Sequence, residues 1–322
     1  MRLRWAISAI LGAALPATSA AIVAIDPVAV NRPEQPKLSD GAKGQGVLRA
    51  QILLDRAHFS CGEIDGKFGR NLKKAIAAFQ AERQLPVTGA LDAATWDALN
   101  TDDAPALTGY TITKDDLKGP FVPIPADMKG KSELPYLGYS SPLEEIGEKF
   151  HSSPAVLRSL NPGANFEQES QQLTVPNVQV MPPAQAASIV VSKGESSVRV
   201  YDASGALLAF YVATIGSSEH DPLPIGDWSV NGIFNNPKFH YNAGLFWDAK
   251  DTTEKETLPP GPNSPVGLVW IDLSKEHYGI HGTPEPGKIG HTTSHGCIRL
   301  TNWDALELAS IVRPDTPVTF RE

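Results

Sequence analysis

Residues 280–300 read I-H-G-T-P-E-P-G-K-I-G-H-T-T-S-H-G-C-I-R-L. The stretch contains Cys297, one of 2 cysteines in a chain of 322 residues, directly after Ser294, His295 and Gly296. A thiol attacks as its thiolate, and a free cysteine ionises only near a pKa of about 8.5. It therefore needs a base or cation beside it, and imidazole is the side chain whose charge changes near neutral pH. Two imidazoles are candidates, His281 and His295. In an extended run, residues two apart share a face, which places His295 beside Cys297. His281 reaches the thiol only if two strands lie side by side, with residues 284–293 as a connection rich in Pro and Gly. Gly296 permits close backbone approach. Its N–H and that of Cys297 are candidate donors to an oxyanion.

Three readings of Cys297 compete on chemistry. A cysteine is commonly a small buried hydrophobe. His291, His295 and Cys297 have a loosely ligand-like spacing, but structural zinc sites show tighter pairs such as C-x2-C and H-x3-H. No metal and no organic cofactor is expected. The third reading is acyl transfer by a Cys–His pair.

H-G-T at 281–283 followed by S-H-G-C-I-R-L at 294–300 resembles the signature of the L,D-transpeptidases, cysteine enzymes of the bacterial cell wall. The resemblance runs from about Ala186 to Phe320. It implies Cys297 as nucleophile and His281 as proton acceptor and donor. It implies that Ser294, His295 and Gly296 shape the site and the oxyanion hole, and it matches Arg299 to the arginine after the cysteine. Some members carry serine after the first histidine, with its backbone carbonyl orienting the imidazole. Here that position is Gly282, and only its carbonyl is available. The implied reaction is attack on the bond between diaminopimelate and the terminal D-alanine of a tetrapeptide stem. The thioester then passes to an amine of a second stem or of an envelope protein. Water as acceptor makes the same site an L,D-carboxypeptidase or a hydrolase of cross-links. A non-catalytic wall-binding protein is the remaining alternative.

The rest of the chain is consistent with an exported protein. Arg2 and Arg4, an apolar run from Ala6 to Leu15, and small residues at Ala17, Ser19 and Ala20 have the layout of a secretory leader over 1–20. An uncleaved anchor is the alternative, and this leader is the only membrane contact expected. A net charge of −8 argues against a nucleic-acid partner. Cys61 and Cys297 fall in different modules, so no disulfide is expected.

Helical periodicity begins near Gly46. Val47, Ala50, Leu54 and Ala57 share one face, and Leu72, Ala75, Ile76 and Phe79 share another. Asp65-Gly66 marks a turn between them, and Asp92 is placed to cap a third helix. These residues resemble a small peptidoglycan-binding module. Residues 101–125 read as a linker. A strand at 134–139, helices starting at Ser141-Pro142 and Ser153-Pro154, the L-N-P-G turn at 160–163 and a strand at 172–175 resemble a lysin motif. Beyond Ser188, short alternating runs separated by turns read as strands. Residues 235–265 form a long insert rich in aromatics and prolines, expected to act as a lid over the thiol, with packing of its aromatics against the sheet as the alternative. The predicted fold is multidomain α+β. It comprises a leader (1–20), a peptidoglycan-binding-like helical domain (42–100), a lysin-motif-like βααβ domain (130–178) and a mainly-β, sandwich-like catalytic domain (186–321). Glycan and stem peptides of peptidoglycan are the implied partners.

Overall fold

The computed structural model describes residues 25–216, 222–247, 249 and 254–322; the leader predicted at 1–20 lies outside them. The first unit comprises α1 (Pro27–Asn31), α2 (Gln45–Arg56), β1 (Phe59–Ser60), α3 (Arg70–Glu82) and α4 (Ala93–Leu99). The apolar steps read from the sequence converge on one core, with Val47, Ala50, Leu54, Leu72, Ile76 and Phe79 buried together. The carboxylate of Asp92 accepts the Thr95 N–H at 2.9 Å and so caps α4. At the Asp65-Gly66 turn, the Gln51 side-chain oxygen accepts the Gly66 N–H at 2.7 Å.

The middle unit departs from expectation at its first strand. It runs β2 (Leu107–Thr111), α5 (Met128–Ser132), α6 (Pro142–Lys149), α7 (Pro154–Leu160) and β3 (Gln172–Pro176). The strand antiparallel to β3 is β2, which lies in the stretch predicted to be a linker. Residues 134–139 form no strand. Instead Leu137 donates its N–H to the Pro260 carbonyl and accepts from the Asn263 N–H, both at 2.9 Å, tying this segment to the base of the long insert. Pro135 lacks the N–H that a ladder would use. The two helix starts are as predicted, with Ser141 Oγ accepting from Glu144 N–H and Ser153 Oγ from Val156 N–H, each at 3.2 Å.

The C-terminal domain supplies β4 (Ser188–Ser192), β5 (Ser197–Tyr201), β6 (Leu207–Val212), β7 (Gly226–Asn235), β8 (Phe239–Asn242), β9 (Lys255–Leu258), β10 (Val269–Leu273), β11 (Gly279–His281), β12 (Ile298–Arg299), α8 (Asn302–Ile311) and β13 (Pro317–Arg321). Among the described residues, nine strands form one sheet in the order β1-β6-β5-β4-β13-β7-β10-β11-β12. Its far edge curls back: Thr214, just past β6, exchanges two backbone hydrogen bonds of 2.9 Å with Arg299 of β12. The sheet thus wraps around an aliphatic core of Ile189, Val200, Val269, Ile271, Ile280 and Ile298, with Leu308 of α8 packed into it.

The first unit is not strung on a tether. Its strand β1 pairs in parallel with β6, Phe59 opposite Phe210. Phe210, Val212 and Ile289 of the C-terminal domain close the helical core, and each such fully buried side chain contributes about 1.5–3 kcal/mol. All three units meet at α8. Ser60 Oγ donates to Asp304 at 2.9 Å, His151 lies 3.0 Å from Asp55, and the His151 ring stacks on Trp303 at 5.0 Å.

Candidate active site

The site is built where β10, β11 and β12 lie side by side. The antiparallel register sets Trp270 opposite His281, and the parallel register sets His281 opposite Arg299. Cys297 immediately precedes β12, at the end of the pairing where β11 begins. The loop 284–293 is the connection that the sequence reading required.

His281 is 3% exposed. Its Nδ1 lies 2.7 Å from the Gly282 carbonyl oxygen. A carbonyl only accepts, so Nδ1 carries the proton and Nε2 keeps its lone pair. Burial, then the nearby Arg299 guanidinium, push the His281 pKa down to about 3, against the opposing pull of the Gly282 carbonyl. At neutral pH the resting imidazole is therefore uncharged, with Nε2 unprotonated. The orienting group is the one the sequence left available. A side chain on Gly282 would start 2.2 Å from Asn302 Oδ1, so serine has no room there.

Cys297 is half-buried. Its thiol donates to the His277 carbonyl, with 3.6 Å between sulfur and oxygen. Ser294 Oγ donates to the Cys297 carbonyl and closes the turn before the thiol. The Ser294 N–H is bonded to the Ile215 carbonyl at 3.1 Å, fixing that turn to the neighbouring segment. Gly296 adopts φ +106°, which a residue with a side chain rarely does. The Tyr278 ring packs 3.3–3.4 Å from where its Cβ would stand.

His295, the rival base, meets the insert. Its ring lies edge-on to Phe246 at 4.8 Å and tilted against Trp247 at 5.7 Å. Within the insert β8 pairs with β9 as a ribbon, and Tyr241 packs on Phe246 at 5.2 Å. His291 points elsewhere, into a cleft shared with Glu63 and Asn71 of the first unit. Cys61 sits in the helical core, where burial pushes its thiol pKa up.

Two residues of the site escaped the sequence reading. Trp270 stacks on His281 with centroids 5.3 Å apart and planes 17° from parallel. A Cβ at Gly279 would stand 2.4 Å from that indole, so only glycine leaves the ring its place. The available signal was an aromatic on the polar face of an alternating strand. The other is Asn302, buried behind Gly282; its place after Thr301 signals only a helix start.

Comparison with known proteins places the chain in a family. The profile of the L,D-transpeptidase catalytic domain matches residues 186–320, and that of the "Putative peptidoglycan binding domain" matches 43–99. "Putative L,D-transpeptidase YkuD" of Bacillus licheniformis is 32% identical over 180 residues, covering 55% of this chain and 92% of that protein. "Probable L,D-transpeptidase YbiS" of Escherichia coli is 26% identical over 209 residues, covering 62% of this chain and 67% of the relative. Among solved structures, L,D-transpeptidase 3 of Mycobacterium tuberculosis aligns at 17% identity with a TM-score of 0.35, over 48% of this chain and 76% of the other. The chain belongs to the L,D-transpeptidase family of cell-wall acyltransferases.

Proposed function

We propose that this protein performs peptidoglycan transpeptidation with Cys297 as nucleophile and His281 as its base and acid. The observation that carries the assignment is the His281 imidazole held by the Gly282 carbonyl on β11, the strand paired in parallel with the one that Cys297 leads into. As the sulfur attacks the stem carbonyl, Nε2 takes the thiol proton and the C–S bond forms. The oxyanion is met by the N–H groups of Gly296 and Cys297, and losing one such donor typically costs about 3 kcal/mol. Collapse expels D-alanine, whose amine receives the proton from Nε2. An acceptor amine then attacks the thioester, gives its proton to Nε2, and releases Cys297 as the thiol. Burial, with the Arg299 charge adding to it, keeps the resting imidazole neutral. The aromatic ribbon at Phe246 and Trp247, beside His295, is the part placed to restrict water at the acyl-enzyme.

The acceptor is a second stem, with an envelope protein amine as the other candidate. The first unit supplies contact with the wall. The middle unit offers a cleft of about 330 Å³ beside Asn161, Pro162, Gly163 and Phe166, which suits a glycan strand. No helix among the described residues is long and apolar enough to cross a membrane, and export would depend on the leader.

The test is incubation with disaccharide-tetrapeptide and mass analysis of the products. Cross-linked dimer with loss of D-alanine is expected. Loss of D-alanine without dimer identifies a carboxypeptidase, and an unchanged substrate refutes catalysis on this stem.

A further inference from the structure

The support behind the catalytic imidazole extends into the middle unit. Asn302 is the first residue of α8, fixed there by Thr301, whose Oγ1 accepts the Asp304 N–H at 3.2 Å. Its side chain is 1% exposed. Oδ1 accepts the Leu268 N–H at 3.2 Å, and Nδ2 donates to the Pro262 carbonyl at 3.2 Å and to Glu148 Oε1 at 3.3 Å. Both donors and the acceptor are thus used, and a flipped amide would set its NH2 against the Leu268 N–H. The amide fills the space against two backbones. A Cβ on Gly267 would stand 2.0 Å from Oδ1, and one on Gly282 2.2 Å from it. The Gly282 peptide therefore has no room to swing toward α8, and its carbonyl is the acceptor that fixes the His281 tautomer.

We propose that Asn302 is a positioning residue for His281, acting through Gly282, and that Glu148 of α6 holds Asn302 in register. The middle unit thereby contributes to the catalytic geometry without touching substrate. Were the Gly282 carbonyl to turn away, Nδ1 would lose its acceptor and Nε2 its aim at the thiol. A displacement of about 1 Å at a reacting group costs up to about 100-fold in rate. The inference rests on the reading of His281 as the base.

The variant Asn302→Ser keeps a residue suited to a helix start while removing the amide. Expected is a 10- to 100-fold fall in kcat, a KM for the tetrapeptide stem within about twofold of wild type, and loss of the slowly exchanging His281 Nδ1–H proton resonance. Glu148→Gln retains an acceptor oxygen and should keep wild-type kcat, whereas Glu148→Ala should lose part of it. The inference is overturned if folded Asn302→Ser keeps both kcat and the Nδ1–H resonance, or loses only KM. Should Asn302→Ser not fold, the glutamate pair decides, and equal kcat for Glu148→Gln and Glu148→Ala overturns it. His281→Ala separates the two levels. Full activity there would sink the base assignment itself, whereas an inactive His281→Ala beside an active Asn302→Ser would sink only the positioning role.

Discussion

An imidazole kept neutral by burial makes stability fall in acid, and the size follows from the site. His281 ionises at about 3 in the folded protein and at an ordinary value of about 6.5 when unfolded. Between those values the unfolded chain binds a proton that the folded one refuses, so stability rises with pH and is lost as pH falls. At pH 4 the unfolded histidine is almost wholly protonated and the folded one almost wholly neutral. The difference is about 2.5 pH units of protonation free energy, or about 3 kcal/mol relative to pH 7. Urea unfolding of wild type and His281→Ala at pH 7 and pH 4 measures this as a difference of differences. Asp304 and Glu148 titrate in the opposite sense, but they are common to both proteins and cancel. Wild type should lose about 3 kcal/mol more than the variant on acidification. Equal losses in the two proteins, or a His281 ring resonance that titrates near pH 6.5, would refute the neutral-base reasoning.

Cys297→Ala should abolish both dimer and released D-alanine while leaving sedimentation with purified wall unchanged; turnover in that variant would remove the thiol from the mechanism. Gly279→Ala must displace the Trp270 indole, whose three nearest atoms stand 2.4–2.8 Å from the new Cβ, and kcat should drop roughly tenfold, with partial recovery in the double variant Gly279→Ala, Trp270→Leu. Phe210→Ala should cost about 3–5 kcal/mol, and a chain lacking residues 1–100 should be insoluble, because Phe210 closes a core built mainly from that unit. Burial and the neighbouring Asp55 raise the Asp304 pKa to about 8, so the folded state holds a proton that the unfolded state releases above about pH 4. Stability from that proton is lost as pH rises toward 8. Asp304→Asn should therefore gain on wild type between pH 5 and pH 9, by at most about 1.4 kcal/mol per pH unit, as read from denaturation midpoints.

The parts of this molecule legible in the sequence are those with local causes. Helix faces in the first unit follow from three- and four-residue apolar steps. The caps at Ser141, Ser153 and Asp92 follow from side chains that bond their own helix ends. The strands of the C-terminal domain follow from alternation, although the length of β7, out to Asn235, is set by β10 pairing along its whole second half. The side-by-side placement of β11 and β12 is what the sequence required for His281 to reach the thiol across the loop 284–293. What was not legible depends on pairing at long sequence separation. Strand β2 looked like a linker because Thr108, Gly109 and Thr111 face solvent and only its partner β3 defines it. Strand β1 is two residues long and has meaning only beside β6. Asn302 gave the signal of a helix start, and its contact with Gly282 appears only once α8 is folded over β11.

The parallel pairing of β1 with β6 has a consequence for how the enzyme meets its polymer. Because backbone hydrogen bonds and a common core join the helices of the first unit to the sheet that builds the candidate site, the two cannot drift apart like beads on a cord. If those helices seat on a strand of the sacculus, as proposed above, the stem presented to Cys297 is set by a fixed offset, as with a caliper. Spacing along the mesh would then be part of what the enzyme selects.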